Sequence, residues 1–212
     1  MKYVSIDLET TGLNPDNIYD DVGNIISPGC QILEFGAVLE DTNNIIPIDQ
    51  LPFYHAYITQ PNDIISGSVF AIHMNVGIIE KIKNKKILDD KFNFVGIDDL
   101  AQSFLFWLSK HGFEIKTSSN GEYKYSETIT VAGKNFSGFD KMFLNKVPNF
   151  NKFIKIRHRV IDPSILFIDW KKDNAPPSLD DCKIRAGIDG VVSHLAVDDA
   201  KDVIKLLRKS YA

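Results

Sequence analysis

The sequence predicts an α/β domain in which a mixed sheet, antiparallel at first and parallel later, is flanked by helices. Three observations lead there. Between Met1 and Thr59, apolar residues alternate in segments whose connections are too short for a crossover helix, which describes an antiparallel meander. Apolar residues then recur at helical spacing around Phe104 and again around Val203. Between these helices, a short apolar run from Thr128 to Ala132 leads through Gly133 into another helical pattern.

In the first segment, Tyr3, Ser5 and Asp7 alternate with Val4, Ile6 and Leu8, so Met1 to Leu8 reads as a strand with one buried apolar face. Asn14 to Gly29, rich in Asn, Asp, Gly and Pro, reads as a surface loop. Strands follow over Gln31 to Leu39 and Tyr54 to Thr59. Leu100, Phe104, Trp107 and Leu108 share one face of a helix that Asp98 and Asp99 suit at its start and Gly112 at its end. Asn120-Gly121, between strand-forming flanks in Glu114 to Tyr125, predicts a hairpin with a two-residue turn. The strand Thr128 to Ala132 precedes a helix from about Ser137 to Lys146. Ser178 with Asp181 predicts a capped helix ending at Gly187, and Ala200, Val203, Ile204 and Leu207 mark a last amphipathic helix.

The chain of 212 residues, 44% hydrophobic and 25% charged, has the make-up of an ordinary globular protein and excludes fibrous and disordered classes. Apolar runs such as Phe104 to Leu108 are too short to span a bilayer, and the start lacks a signal peptide's apolar stretch, so the expectation is a cytoplasmic protein with no membrane partner. Cys30 and Cys182 lack metal-ligand spacing and read as free, buried thiols. The net charge of −4 is unevenly distributed: Lys141 to Lys172 holds eight basic residues against Asp162 and Asp169. Such a stretch either tracks a phosphate backbone or is a solvated surface.

The chemistry begins where the first strand ends. Asp7 and Glu9, two residues apart, project from the same side. Paired carboxylates repel, and a divalent cation is the usual means of keeping both ionised at neutral pH. An isolated Asp-Leu-Glu reads equally as an exposed acidic strand end. The longer segment Ser5-Ile6-Asp7-Leu8-Glu9-Thr10-Thr11-Gly12-Leu13 resembles the first motif, D-x-E-T-T-G-L, of the DEDDh family of 3′-to-5′ exonucleases at every specified position. Gly133-Lys134-Asn135-Phe136-Ser137-Gly138-Phe139-Asp140 resembles the second, an Asn followed shortly by Phe-Asp. Three residues separate Asn135 from Phe139, an interval similar to the oligoribonuclease branch, where the proofreading branch has two. His194-Leu195-Ala196-Val197-Asp198-Asp199-Ala200 resembles the third motif, H-x-A-x-x-D-A, in the expected order.

This resemblance implies a ribonuclease H-like fold with a mixed five-stranded sheet, in a single exonuclease domain over 1–212 with surface insertions near 14–29 and 114–125. It also implies two Mg²⁺ or Mn²⁺ ions held by Asp7, Glu9, Asp140 and Asp199, His194 as general base, and attack of water on the terminal phosphodiester of single-stranded DNA or RNA, releasing nucleoside 5′-monophosphates. Asp198 competes with Asp199, but neighbouring helical residues point about 100° apart, and the motif selects Asp199. Thr10, Thr11, Leu13, Asn135, Phe139 and His194 are the residues it assigns to the terminal nucleotide, although Leu13, Phe136 and Phe139 also read as core and Asn135 as a turn residue. His55, His73, His111 and His158 lie outside the motifs and read as core or surface residues. The partner expected is a nucleic-acid 3′ end, met by the chain alone, as a homodimer or beside a polymerase in another chain. Two other functions rank lower: a catalytically silent nucleic-acid-binding module of the same fold, and a haloacid-dehalogenase-like phosphatase, which Asp7-Leu8-Glu9-Thr10-Thr11 only loosely resembles.

Overall fold

In the computed structural model, which describes residues 1–88, 91–190 and 193–212, five strands build one sheet: β1 (Lys2–Thr10), β2 (Ile32–Asp41), β3 (Phe53–Thr59), β4 (Phe94–Gly96) and β5 (Val131–Ala132). The spatial order is β5-β1-β2-β3-β4. β1, β2 and β3 form the antiparallel meander, while β5 joins β1 and β4 joins β3 in parallel. The mixed sheet expected from the sequence is therefore present. β4 is its unforeseen member: at three residues it is too short to reveal an alternation.

Among the described residues, the α-helices of five or more residues are α1 (Val69–Met74), α2 (Val76–Lys83), α3 (Leu100–Lys110), α4 (Asp140–Leu144), α5 (Leu179–Ala186) and α6 (Ala196–Arg208). They divide the core by strand periodicity. Val4, Ile6 and Leu8 of β1 face α3, where Phe104 lies 5.0 Å from Phe35 and stacks on Trp107 at 5.6 Å. Each such buried side chain contributes roughly 1.5–3 kcal/mol. On the other face, Tyr3 and Val38 pack under Ala200, Val203, Ile204 and Leu207 of α6. A third cluster joins Leu33 and Tyr57 to Ile78 and Ile82 of α2. No described helix is long and apolar enough to cross a membrane.

One face of β2 reads Glu34, Gly36, Val38, Glu40, and α6 lies along it. The Glu40 carboxylate, fully buried, accepts from Arg208 Nε at 2.8 Å at the end of α6. At the other end, Ala196 N donates to Glu34 Oε2 at 3.1 Å, so a sheet carboxylate caps the helix N-terminus. Between them, a Cβ on Gly36 would lie 2.3 Å from the Ala196 carbonyl carbon. Glycine at this position lets the first turn of α6 rest on the sheet backbone. The buried pair Lys183–Asp202 ties α5 to α6.

Three local expectations change. Asn14 to Gly29 contains a two-stranded hairpin, Ile18–Tyr19 with Ile25–Ser27, whose turn forms because Asp20 accepts from the backbone of Val22 and Asn24. The second hairpin, Ile115–Thr117 with Lys124–Ser126, turns over Ser118 to Gly121 instead of at Asn120-Gly121, with Gly121 N donating to Ser118 O at 2.9 Å. Asn120 Oδ1 is drawn into that turn by the Ser118 hydroxyl at 2.8 Å. The run Thr128 to Ala132 splits in two: Thr128–Ile129 pairs with Lys155–Ile156, and only β5 joins the main sheet. The two cysteines are free, Cys182 buried and Cys30 half-buried.

Candidate active site

β1 delivers two carboxylates to the face it shares with α6. Asp7 pairs with Gly36 in the β1–β2 ladder and Glu9 with Glu34, and the register shifts between Glu9 and Thr10. Such a bulge re-aims the strand end next to a site.

A third carboxylate comes from the β5-to-α4 junction. There Asn135 adopts a left-handed conformation, φ 55°, and its carbonyl accepts from both Gly138 N and Phe139 N at 3.0 Å. This turn consumes the residues where the sequence predicted a first helical turn, so α4 begins only at Asp140. A Cβ on Gly138 would stand 2.6 Å from Asn135 Oδ1, so the Asn135 side chain packs over the glycine of its own turn. Asp162 completes it by accepting from Asn135 N at 2.8 Å.

The fourth carboxylate, Asp199, sits buried in the first turn of α6 while Asp198 points to solvent, as the helical 100° step requires. Ser193 N and Oγ hold Asp199 Oδ1 at 3.3 and 3.2 Å. His194, exposed and left-handed at φ 52°, immediately precedes this helix. One ligand atom each from Glu9, His194 and Asp199 lie within 4.8 Å of one another.

Asp7, Glu9, Asp140, Asp199 and His194 all line one cavity of about 800 Å³. Its acids crowd. Burial raises the Asp7 carboxyl well above the usual range, and the charges of Asp140, Asp199, Glu9 and Glu34 push the same way. Burial, then Asp199 and Glu34, raise Glu9 to about 8, against a hydrogen bond from Asn75. Burial raises Asp140 to about 7, although the backbone N–H groups of Asp140 and Leu8 oppose it. Asp199 is also raised by burial, with the Ser193 hydrogen bonds opposing. Lys134 is the cationic side chain of the wall. A buried set of hard oxygen donors that resists ionisation for want of positive charge fits divalent Mg²⁺ or Mn²⁺.

The remaining wall is apolar. Thr10, Leu13 and Phe139 line it, together with Phe70, Ala71 and Met74 of α1. Leu13 and Phe70 are 80% and 75% exposed, so large apolar surfaces stand open at the mouth. Thr11 and Asn135 stand outside this lining. Thr11 Oγ1 is fully buried, donating to Ser66 O at 2.6 Å and accepting from Gln31 N at 2.7 Å, which fixes the loops behind the cavity. Asn135 is the turn residue just described. Phe136 is buried core.

Sequence reasoning missed Phe70, Met74, Asn75 and Glu34. α1 buries none of its residues, so it carries no amphipathic stripe; its one local signal is Ser68, whose Oγ accepts from Ala71 N at 3.2 Å as an N-cap. Glu34 looks like one more acid in a strand, but its Oε1 meets His55 Nε2 at 2.5 Å while Oε2 caps α6.

No protein-family model matches the chain, and neither does any curated protein. Solved structures do. The nuclease domain of 3′hExo, a DEDDh family member bound to rAMP, is similar with a TM-score of 0.57 over 98% of this chain and 90% of that one, at 14% identity. A 3′-exonuclease from a structure of 3′-end specific recognition of histone mRNA stem-loop gives 0.57 over 98% of this chain and 80% of that one, also at 14% identity. E. coli ExoI, in a metal-free complex with ssDNA, gives 0.56 at 13% identity over 99% of this chain, which spans 40% of its length. The chain thus has the ribonuclease H-like fold found in DEDDh 3′-exonucleases.

Proposed function

We propose that this chain is a DEDDh-type 3′-to-5′ exonuclease that hydrolyses the terminal phosphodiester of single-stranded DNA or RNA and releases nucleoside 5′-monophosphates. What carries the reading is one observation. Four carboxylates and an imidazole, contributed by β1, α4 and the start of α6, converge on a single cavity, and they are the same five residues the three motifs single out. The fold shared with 3′-exonucleases supports it.

Asp7, Glu9, Asp140 and Asp199 would hold the two divalent cations, which when bound supply the positive charge that stabilises the phosphate as it is attacked. The chain's own residues do the rest. His194 accepts the proton of the attacking water at its imidazole, and the oxygen of that water forms the new bond to phosphorus. The bond to the 3′ oxygen of the preceding nucleotide breaks, and that oxygen takes a proton from solvent water and leaves as the new 3′-hydroxyl of the shortened strand, while His194 returns its proton to solvent. Leu13 and Phe70 offer apolar faces to the terminal base, and Thr10 and Phe139 complete the wall near the acids. The raised carboxyl pKa values mean that protons compete with cations for the same oxygens.

The test is a time course on 5′-labelled RNA and DNA with Mg²⁺, Mn²⁺ or chelator. A ladder shortening from the 3′ end, mononucleotide as the product and silence in chelator are expected. Internal fragments appearing first, or unchanged activity in Asp140→Ala, would overturn the reading.

A further inference from the structure

We infer that a cationic groove beside the acid cavity carries the phosphate backbone of the strand lying 5′ to the terminal nucleotide, so that the protein grips a substrate longer than its cleavage site requires. This rests on the exonuclease reading for its direction, but its physical basis is separate.

The groove arises from a register excursion at the sheet edge. Arg157 N donates to Ile129 O, and Ile161 N to Val131 O. Between these bonds one strand advances two residues and its neighbour four. His158 and Arg159 are therefore surplus to the ladder and bulge outward, and both are exposed, as is Arg157. The hollow they border, about 780 Å³, is also lined by Lys141, Asn151 and Lys155. Lys155 extends it into a second hollow of about 450 Å³ against the 115–126 hairpin, where Lys152 and Lys155 sit 4.3 and 5.6 Å over the rings of Tyr123 and Tyr125.

Three features make this more than a solvated basic surface. No acidic side chain lines either hollow among the described residues, although the whole chain is net negative. Lys141, Arg157 and Arg159 have no ion pair among the described residues, whereas Lys146 pairs with Asp16, Lys172 with Asp169 and Arg185 with Asp173. The groove and the acid cavity also draw on the same helix, since Asp140 of α4 lines the cavity and Lys141 of α4 the groove. A polyanion repelled by the net charge of this protein meets here a cationic track whose described lining holds no acid.

The test compares the full chain with the triple variant Lys155→Ala/Arg157→Ala/Arg159→Ala. A charge-matched control, Lys171→Ala/Lys172→Ala/Lys209→Ala, lies outside both hollows. Fluorescence anisotropy follows binding of a labelled single strand of about 15 nucleotides in chelator across a salt series. For the groove variant, binding should weaken about tenfold or more and the salt slope should flatten by about 2, at about 0.7 per lost phosphate contact, while the control stays at wild-type values. In parallel, hydrolysis of the small diester p-nitrophenyl thymidine 5′-monophosphate with Mn²⁺ should be equal in all three proteins, because it reaches only the acid cavity. Unchanged binding in the groove variant, or an equal loss in the control, overturns the groove and leaves the exonuclease reading standing. A wild type that cleaves no strand overturns the exonuclease reading, and the anisotropy still decides the groove.

Discussion

His194 holds a left-handed backbone that costs most side chains about 1–2 kcal/mol. The turn from Ser193 into α6 imposes it, since Leu195 N donates back to Ser193 Oγ at 3.3 Å and the helix starts at once. Asparagine tolerates this conformation but cannot take a proton at neutral pH. His194→Asn should therefore leave the thermal midpoint unchanged while lowering turnover about 10²–10⁴-fold, read from single-turnover kinetics against denaturation curves. Wild-type turnover in that variant would remove the imidazole from the reaction. Neighbouring residues show how far side-chain chemistry could be foreseen. The motif spacing selected Asp199 over Asp198, and burial of only the former follows from helix geometry. Thr11 and Asn135 fall in the same motifs yet spend their polar groups on loop and turn geometry, a distinction that no spacing encodes.

The contact between β2 and α6 sets the position of Asp199 relative to Asp7, because Asp7 pairs with Gly36 and Gly36 lies under Ala196. Gly36→Ala would force the helix off the sheet. The expected result is a loss of about 1–3 kcal/mol in urea unfolding together with a fall in turnover of up to about 10²-fold, since small displacements of reacting groups are that costly. Equal turnover in both proteins would mean that the helix position does not matter to the chemistry. Long elements with a steady period were legible: β1, α3 and α6 declared themselves by alternation or by a helical stripe. So did the capping box of α5, with Ser178 and Asp181 bonding reciprocally and Gly187 ending the helix. What escaped notice was short or exposed. β4 has three residues, α1 has no buried face, and the excursion at His158 and Arg159 depends on a ladder formed with distant residues. Phe70 and the shape of the groove belong to this second group, whereas the four acids, the wall residues Thr10, Leu13 and Phe139 and the basic composition of 141–172 were readable.

Across the whole molecule, like charges are concentrated where they resist ionisation. Glu9 and Asp140 titrate at about 8 and about 7 in the folded chain, against roughly 4 when unfolded. The folded state binds more protons over that interval, so the stability these groups contribute is full below about pH 4 and is lost as pH rises through about 7 to 8. Asp173, lowered to about 2 by the Arg185 hydrogen bond, changes only below this window. In chelator, thermal midpoints should therefore be higher near pH 5.5 than near pH 8.5 (about ±0.5 pH unit), and Mn²⁺ should raise the midpoint more at the alkaline end. Midpoints independent of pH and of Mn²⁺ would contradict a cation-binding acid cavity. The acids that make up the cavity also lie far apart in the order of synthesis. A ribosome releases Asp7 and Glu9 early and Asp199 with α6 much later. Until that helix docks on Gly36, the first two carboxylates face open water on an uncovered sheet. Under the exonuclease reading, nascent chains, and chains clipped by a protease ahead of Ala196, lack Asp199 in place and so do not complete the acid set, and hydrolysis awaits a single late step.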